Sequence, residues 1–162
     1  MAKVGFISLG CPKNLVDTEV MVGLLQHEGH TITSDGSKAE VIVVNTCSFV
    51  EDSKREAIET ILEAAELKKT GRCRRLIVTG CLAERYPKEI RSQLVEVDAI
   101  LGTNQVEQIG RAVSGGTVLP PTSFGRSNAD YYLYNHTTPR SLATPPYTAY
   151  IKIAEGCDHT CS

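Results

Sequence analysis

The sequence predicts an α/β fold: a mainly parallel sheet with helices on both faces, in a flavodoxin-like or Rossmann-like three-layer arrangement. Three observations carry that expectation. Short apolar runs alternate with segments of helical periodicity, helix stop signals fall between them, and three of the runs lead directly into a cysteine: Cys11, Cys47 and Cys81. Alternation makes neighbouring strands parallel, because each return to the sheet runs through a right-handed helical crossover. All carboxyl ends of the strands then lie on one edge. Thiols separated by 36 (47 − 11) and 34 (81 − 47) residues are thereby expected to converge.

Lys3–Ser8 reads as a buried strand, and Asn14–His27 as a helix with Val16, Val20 and Leu24 on one stripe and Met21 and Leu25 beside it. Asn14 is the expected N-cap and Gly29 the expected stop. His30–Thr33 reads as a short edge strand and Glu40–Asn45, rich in β-branched residues, as a central one. The longest helix is expected over Ser48–Lys69, with Ile58, Ile61, Leu62 and Ala65 inward. Glu51 and Asp52 at its start and Lys68 and Lys69 at its end complement the macrodipole, and Gly71 ends it. A third central strand follows at Arg74–Thr79, a helix at Leu82–Leu94 despite Pro87, a strand at Asp98–Leu101 and a last helix at Asn104–Val113.

The first domain is therefore expected to span residues 1–113. From Ser114 to Pro146 the chain holds five of its seven prolines among Gly, Ser and Thr, which reads as a linker or wrapping arm. Tyr147–Ala154 alternates as a new strand and runs into Cys157; residues 147–162 are too few to bury a core, so the chain reads as part of something longer. A net charge of −2 gives no electrostatic support to nucleic-acid binding, DNA included. No apolar stretch approaches the ~20 residues of a membrane span, so the expected location is cytoplasmic. In that reducing compartment, six cysteines point to metal ligands or buried fillers before disulfides.

A single cysteine at a strand end is commonly a small hydrophobe. Three at equivalent places in successive units point instead to thiolates holding an inorganic cluster, favoured by the helix amino termini that follow each strand. Structural zinc usually has four ligands with paired local spacing, which Cys11, Cys47 and Cys81 lack. Three ligands on a four-iron cluster leave one iron open for chemistry. Gly10 and Gly80 are expected to let backbone approach that core, and Asn14 and Asn45 are candidates to donate to its sulfurs. Cys73, before its strand, sits on the wrong edge and reads as structural. Cys157-Asp158-His159-Thr160-Cys161 forms a second group, Cys-x-x-x-Cys, with His159 read as a spacer.

That second group is similar to the start of the radical S-adenosylmethionine signature, Cys-x-x-x-Cys-x-x-Cys, whose third cysteine would fall beyond Ser162. Together with Ser8-Leu9-Gly10-Cys11-Pro12-Lys13-Asn14, Asn45-Thr46-Cys47, Thr79-Gly80-Cys81 and Glu155-Gly156-Cys157, it makes the whole chain resemble the methylthiotransferases. The resemblance implies two 4Fe-4S clusters, one on Cys11, Cys47 and Cys81 and one on Cys157, Cys161 and a third ligand, with S-adenosylmethionine as cofactor and an electron donor protein as partner. It also implies that Tyr147 onward begins a radical S-adenosylmethionine barrel, and that without the rest of that barrel the chain is inactive. The run from Ser8 to Asp17 is similar to the branch acting on an aspartate β-carbon in a small-subunit ribosomal protein; the tRNA branch, which usually reads Gly-Cys-Gln-Met-Asn there, is the nearest alternative.

The rival from another class is a flavodoxin-like binding module without a cluster. Its first loop would need a Ser/Thr/Gly-rich phosphate cradle, and this one reads Gly-Cys-Pro-Lys-Asn. The basic run Lys68, Lys69, Arg72, Arg74, Arg75 reads as solvated surface, and Tyr131, Tyr132 and Tyr134 as anchors of the arm.

Overall fold

A computed structural model describes residues 1–118, 121 and 134–154 of the chain. Its five strands, β1 (Lys3–Ser8), β2 (Thr31–Thr33), β3 (Val41–Thr46), β4 (Arg75–Gly80) and β5 (Ala99–Ile100), form one sheet in the order β2-β1-β3-β4-β5. Every pairing is parallel. The chain reverses its direction of travel across the sheet between β1 and β3, the switch point where loops diverge and leave room for a ligand.

Residues of β3 show why the sheet has two covered faces. All six are buried, with Val41 and Val43 packed to one side and Ile42 and Val44 to the other, as the two-residue period requires. The first side is closed by α1 (Pro12–His27) and α5 (Ile109–Val113) through Val20, Met21, Leu25, Ile109 and Ala112. The second is closed by α2 (Glu51–Thr70), α3 (Cys81–Arg85) and α4 (Pro87–Gln93) through Ala57, Ile61, Leu82 and Ile90. At about 1.5–3 kcal/mol for each fully buried large aliphatic side chain, these layers are the main source of stability. The expected α/β class with helices on both faces is the one observed. Among the described residues no helix is long and apolar enough to cross a membrane.

Several local expectations are corrected. The stretch 82–94 is not one helix: it breaks at Tyr86 (φ −129°, ψ 45°), because the ring of Pro87 drives the preceding residue out of the helical region and then starts α4. Asn14 is not an N-cap; α1 starts at Pro12 with Cys11 in the cap position, and Asn14 is buried. On α2 the buried stripe is Ala57, Ile61, Ala64 and Ala65, leaving Ile58 and Leu62 over 40% exposed at 43% and 46%. Alanines let that helix approach the sheet closely, which rotates the larger side chains outward. The last expected helix divides into a 3₁₀ turn (Val106–Gln108) and α5.

Tyr147–Ala154 forms no strand: the segment pairs with none of the described strands, and Ile151 and Ile153 are 82% and 91% exposed. Instead, residues 134–154 return over α1 as an irregular arm. The Ser141 amide donates to the Glu19 carbonyl at 3.0 Å, and Tyr134 anchors the arm as expected, its hydroxyl donating to Asp17 Oδ1. Tyr131 and Tyr132 lie outside the described residues.

Candidate functional site

Cys11, Cys47 and Cys81 all stand at the carboxyl edge of the sheet, following β1, β3 and β4, and all line one cavity of about 660 Å³. Cys11 is exposed, Cys47 buried and Cys81 half-buried. Gly10, Lys13, Asp17, Phe49, Glu84 and Arg85 complete much of the wall, and Phe49 stands at the rim with 87% of its surface exposed. Cys73 sits at the opposite edge, buried, its thiol pushed up by desolvation and donating to the Arg75 carbonyl at 3.3 Å. Cys157, His159 and Cys161 lie outside the described residues.

A polar net beneath the thiols ties the three strand ends together. Asn14 Nδ2 donates to the Leu9 and Thr46 carbonyls at 3.0 and 2.9 Å, while Asn14 Oδ1 stands 3.8 Å from the Cys81 sulfur. Asn45 Nδ2 donates to the Asn14 carbonyl at 2.8 Å and to Thr18 Oγ1 at 3.0 Å, and Thr46 Oγ1 donates to the Thr79 carbonyl at 2.5 Å. Both asparagine amides therefore spend their donors on the framework. They are not turned to a bound sulfur as expected; a buried carbonyl left unpaired would cost more than such a bond returns.

The glycines likewise answer to packing. Gly80 has φ +92° and ψ −161°, a region open to glycine alone, and a Cβ there would overlap Asn45 Oδ1 and the Thr46 carbonyl. Gly10 has φ +96°, and its Cβ would stand 2.7 Å from Cys47 Cβ and 3.1 Å from that sulfur. Each glycine brings one strand-end loop against the next, and so brings the thiols to a common cavity.

Burial pushes the Cys81 thiol above its ordinary value, reinforced by the neighbouring Cys47 and Cys11 and opposed by Lys13 and Arg85. A metal would have to displace that proton, so binding would release it. Burial also pushes the Glu84 carboxyl up, against a backbone hydrogen bond from Thr103 at 3.1 Å. Arg85 donates to the Ser48 carbonyl at 3.2 Å, and the buried Ser48 hydroxyl has no partner among the described residues.

Among the described residues no three His, Cys, Asp or Glu side chains could grip a single metal ion. The donor set is instead three soft thiols spread round a cavity, which suits a polynuclear sulfide-bridged group better than one ion. Lys13, Glu84, Arg85 and Ser48 were not singled out from the sequence; Glu84 and Arg85 sit three and four residues after Cys81, the helical spacing that brings them to its side.

The basic run faces a second cavity, of about 670 Å³, at the other edge, lined by Lys68, Arg72, Cys73 and Arg74 with Lys3, Lys38 and Glu40. Lys68 pairs with Asp98 at 2.6 Å and Lys69 with Glu66 at 2.7 Å, so part of that charge is neutralised within the fold.

The family model described as Uncharacterized protein family UPF0004 matches residues 3–102. The chain is 55% identical over 160 residues to the ribosomal protein uS12 methylthiotransferase RimO of Solibacter usitatus, covering 99% of the chain and 33% of that relative. It is 52% identical over 164 residues to the RimO of Pelotomaculum thermopropionicum, covering 99% and 36%. It is 48% identical over 166 residues to that of Desulforamulus reducens, covering 100% and 36%. The chain thus spans about a third of the length of these curated relatives. Along nearly its whole length the chain is thus similar to proteins named RimO, and a match over 100 of 162 residues, containing all three thiols of the cavity, shows that it belongs to Uncharacterized protein family UPF0004.

Proposed function

We propose that the chain is the cluster-bearing part of a radical S-adenosylmethionine methylthiotransferase that modifies the β-carbon of an aspartate in ribosomal protein uS12. The observation that carries the reading is the single cavity shared by Cys11, Cys47 and Cys81. Their thiolates would hold a 4Fe-4S cluster, and Cys157 and Cys161 would supply two of three ligands to a second one. When bound, the two clusters supply a place for the sulfur that is transferred and the electron that cleaves S-adenosylmethionine. RimO names on relatives near half identity support the uS12 substrate, and with it a cytoplasmic location and an electron donor protein as partner.

The protein's own residues do the positioning. Asn14 and Asn45 hold the loops in register, and Gly10 and Gly80 let them meet. Lys13 and Arg85, on the cavity wall, offset the negative charge that three thiolates and a cluster would gather there.

Anaerobic iron and sulfide analysis tests the ligand set: about four irons per chain are expected at this cavity. Cys11→Ala, Cys47→Ala and Cys81→Ala should each lose them, and Cys73→Ala should not. Full iron content in any of the first three refutes the ligand assignment. Mass spectrometry of uS12 from cells lacking the intact enzyme tests the substrate, which is wrong if the aspartate there is still modified.

A further inference from the structure

Helix α1 carries two acids on faces that the fold covers. Glu19 is 1% exposed and Asp17 3%. Burying a carboxylate is costly unless every oxygen finds a partner, and here the partners come from the arm. Arg140 reaches Glu19 Oε2 through Nε at 2.9 Å and Nη2 at 2.6 Å, and the Ala143 amide donates to Oε1 at 2.7 Å. Lys152 Nζ stands 2.6 Å from Asp17 Oδ1, which also accepts from the Tyr134 hydroxyl. The Lys152 side chain is itself buried, its ammonium 5.3 Å from the centre of the Tyr134 ring. Arg140 Nη2 further donates to the Tyr150 carbonyl at 2.8 Å, joining the two limbs of the arm.

Beside the Glu19 clasp the backbone of the arm lies directly on α1. A Cβ at Gly23 would stand 2.6 Å from Pro139 O and Arg140 N. Apolar contacts alone would permit an arm to slide along a helix; two charge-matched clasps fix one register. Asp17 also lines the three-thiol cavity, α1 begins directly after Cys11, and Lys152 precedes Cys157 by five residues (157 − 152). One helix therefore holds both an edge of the cavity and the approach to the second cysteine group.

We infer that Asp17 and Glu19 are positioning residues, a two-carboxylate latch that seats the arm and sets where the polypeptide entering Cys157 leaves the three-thiol edge. The consequence for the two cysteine groups rests on the proposed function; the latch itself does not.

Hydrogen–deuterium exchange of the full chain, without metal, reads the latch at the Ser141 and Ala143 amides. Glu19→Gln and Lys152→Met should speed that exchange by about tenfold or more, with the amides of Val43 and Val78 unchanged. Lys152→Arg should restore slow exchange, because it returns the charge. Gly23→Val keeps both charges and fills the seat, and should free the arm as well. Unchanged arm exchange in both Glu19→Gln and Lys152→Met overturns the inference, as does equal loosening in Lys152→Arg and Lys152→Met. A chain that binds no iron would refute the cluster reading, whereas the latch stands or falls on these exchange rates alone.

Discussion

The Asn14 side chain clasps the Thr46 carbonyl at 2.9 Å, 32 residues away in sequence, so the loop bearing Cys11 and the loop bearing Cys47 share a fixed boundary. Asn14→Ala leaves two carbonyls, of Leu9 and Thr46, without that donor. It is expected to cost about 1–3 kcal/mol, read as a lower urea midpoint at unchanged slope. Asn14→Asp should do no better, since a carboxylate would face both carbonyls.

Gly80→Ala should be worse. The residue would meet a glycine-only backbone region and press its methyl into Asn45 and Thr46. A loss of about 3 kcal/mol or more is expected, seen as a fall in thermal midpoint, while Gly36→Ala, against a flexible Leu67 methyl at 3.3 Å, should be mild.

Thiol reactivity should follow burial. Of the four cysteines among the described residues of the metal-free chain, an alkylating reagent is expected to modify Cys11 first, Cys81 more slowly, and Cys47 and Cys73 last. Iron and sulfide loading should protect Cys11 and leave the rate at Cys73 untouched; peptide mapping over time distinguishes the two.

Cys73 sets a pH dependence. Its thiol titrates above the ordinary 9.0 in the folded chain because burial disfavours the thiolate. Below about pH 9 both folded and unfolded forms keep the proton, and the contribution to stability is intact. As pH rises past that value the unfolded thiol ionises first, so stability falls. Urea midpoints at pH 8 and pH 10 should show the decline, and Cys73→Val should lessen it.

Glu84 works in the same sense at lower pH. Burial raises its carboxyl above 4.5, so its ionisation favours the unfolded chain at neutral pH. Glu84→Gln keeps an acceptor for the Thr103 amide and should raise the stability at pH 7 by less than about 1 kcal/mol. The gain should vanish near pH 4, where the native carboxyl holds its proton.

The sheet and the placing of the three thiols were legible because strand runs such as Val41–Thr46 and stop signals such as Gly29 and Gly71 are local. What was not legible depended on tertiary packing. The alanines of α2 turned the helix so that Ile58 and Leu62 faced out, and Asn14 passed for a cap because its carbonyl partners lie in another strand end. The alternation of Tyr147–Ala154 looked like a strand, yet here Lys152 faces inward to Asp17 while Ile151 and Ile153 face out, the reverse of the usual burial. Asp17 did leave a trace: it stands four residues before Met21, an acid on an otherwise apolar stripe.

The order β2-β1-β3-β4-β5 has a consequence for biogenesis. Cys11, Cys47 and Cys81 do not come together until β1, β3 and β4 have all paired, and parallel pairing across crossovers of some thirty residues is slow. A nascent chain therefore offers these three sulfurs singly, and any group that needs all three of them can bind only after the sheet has closed.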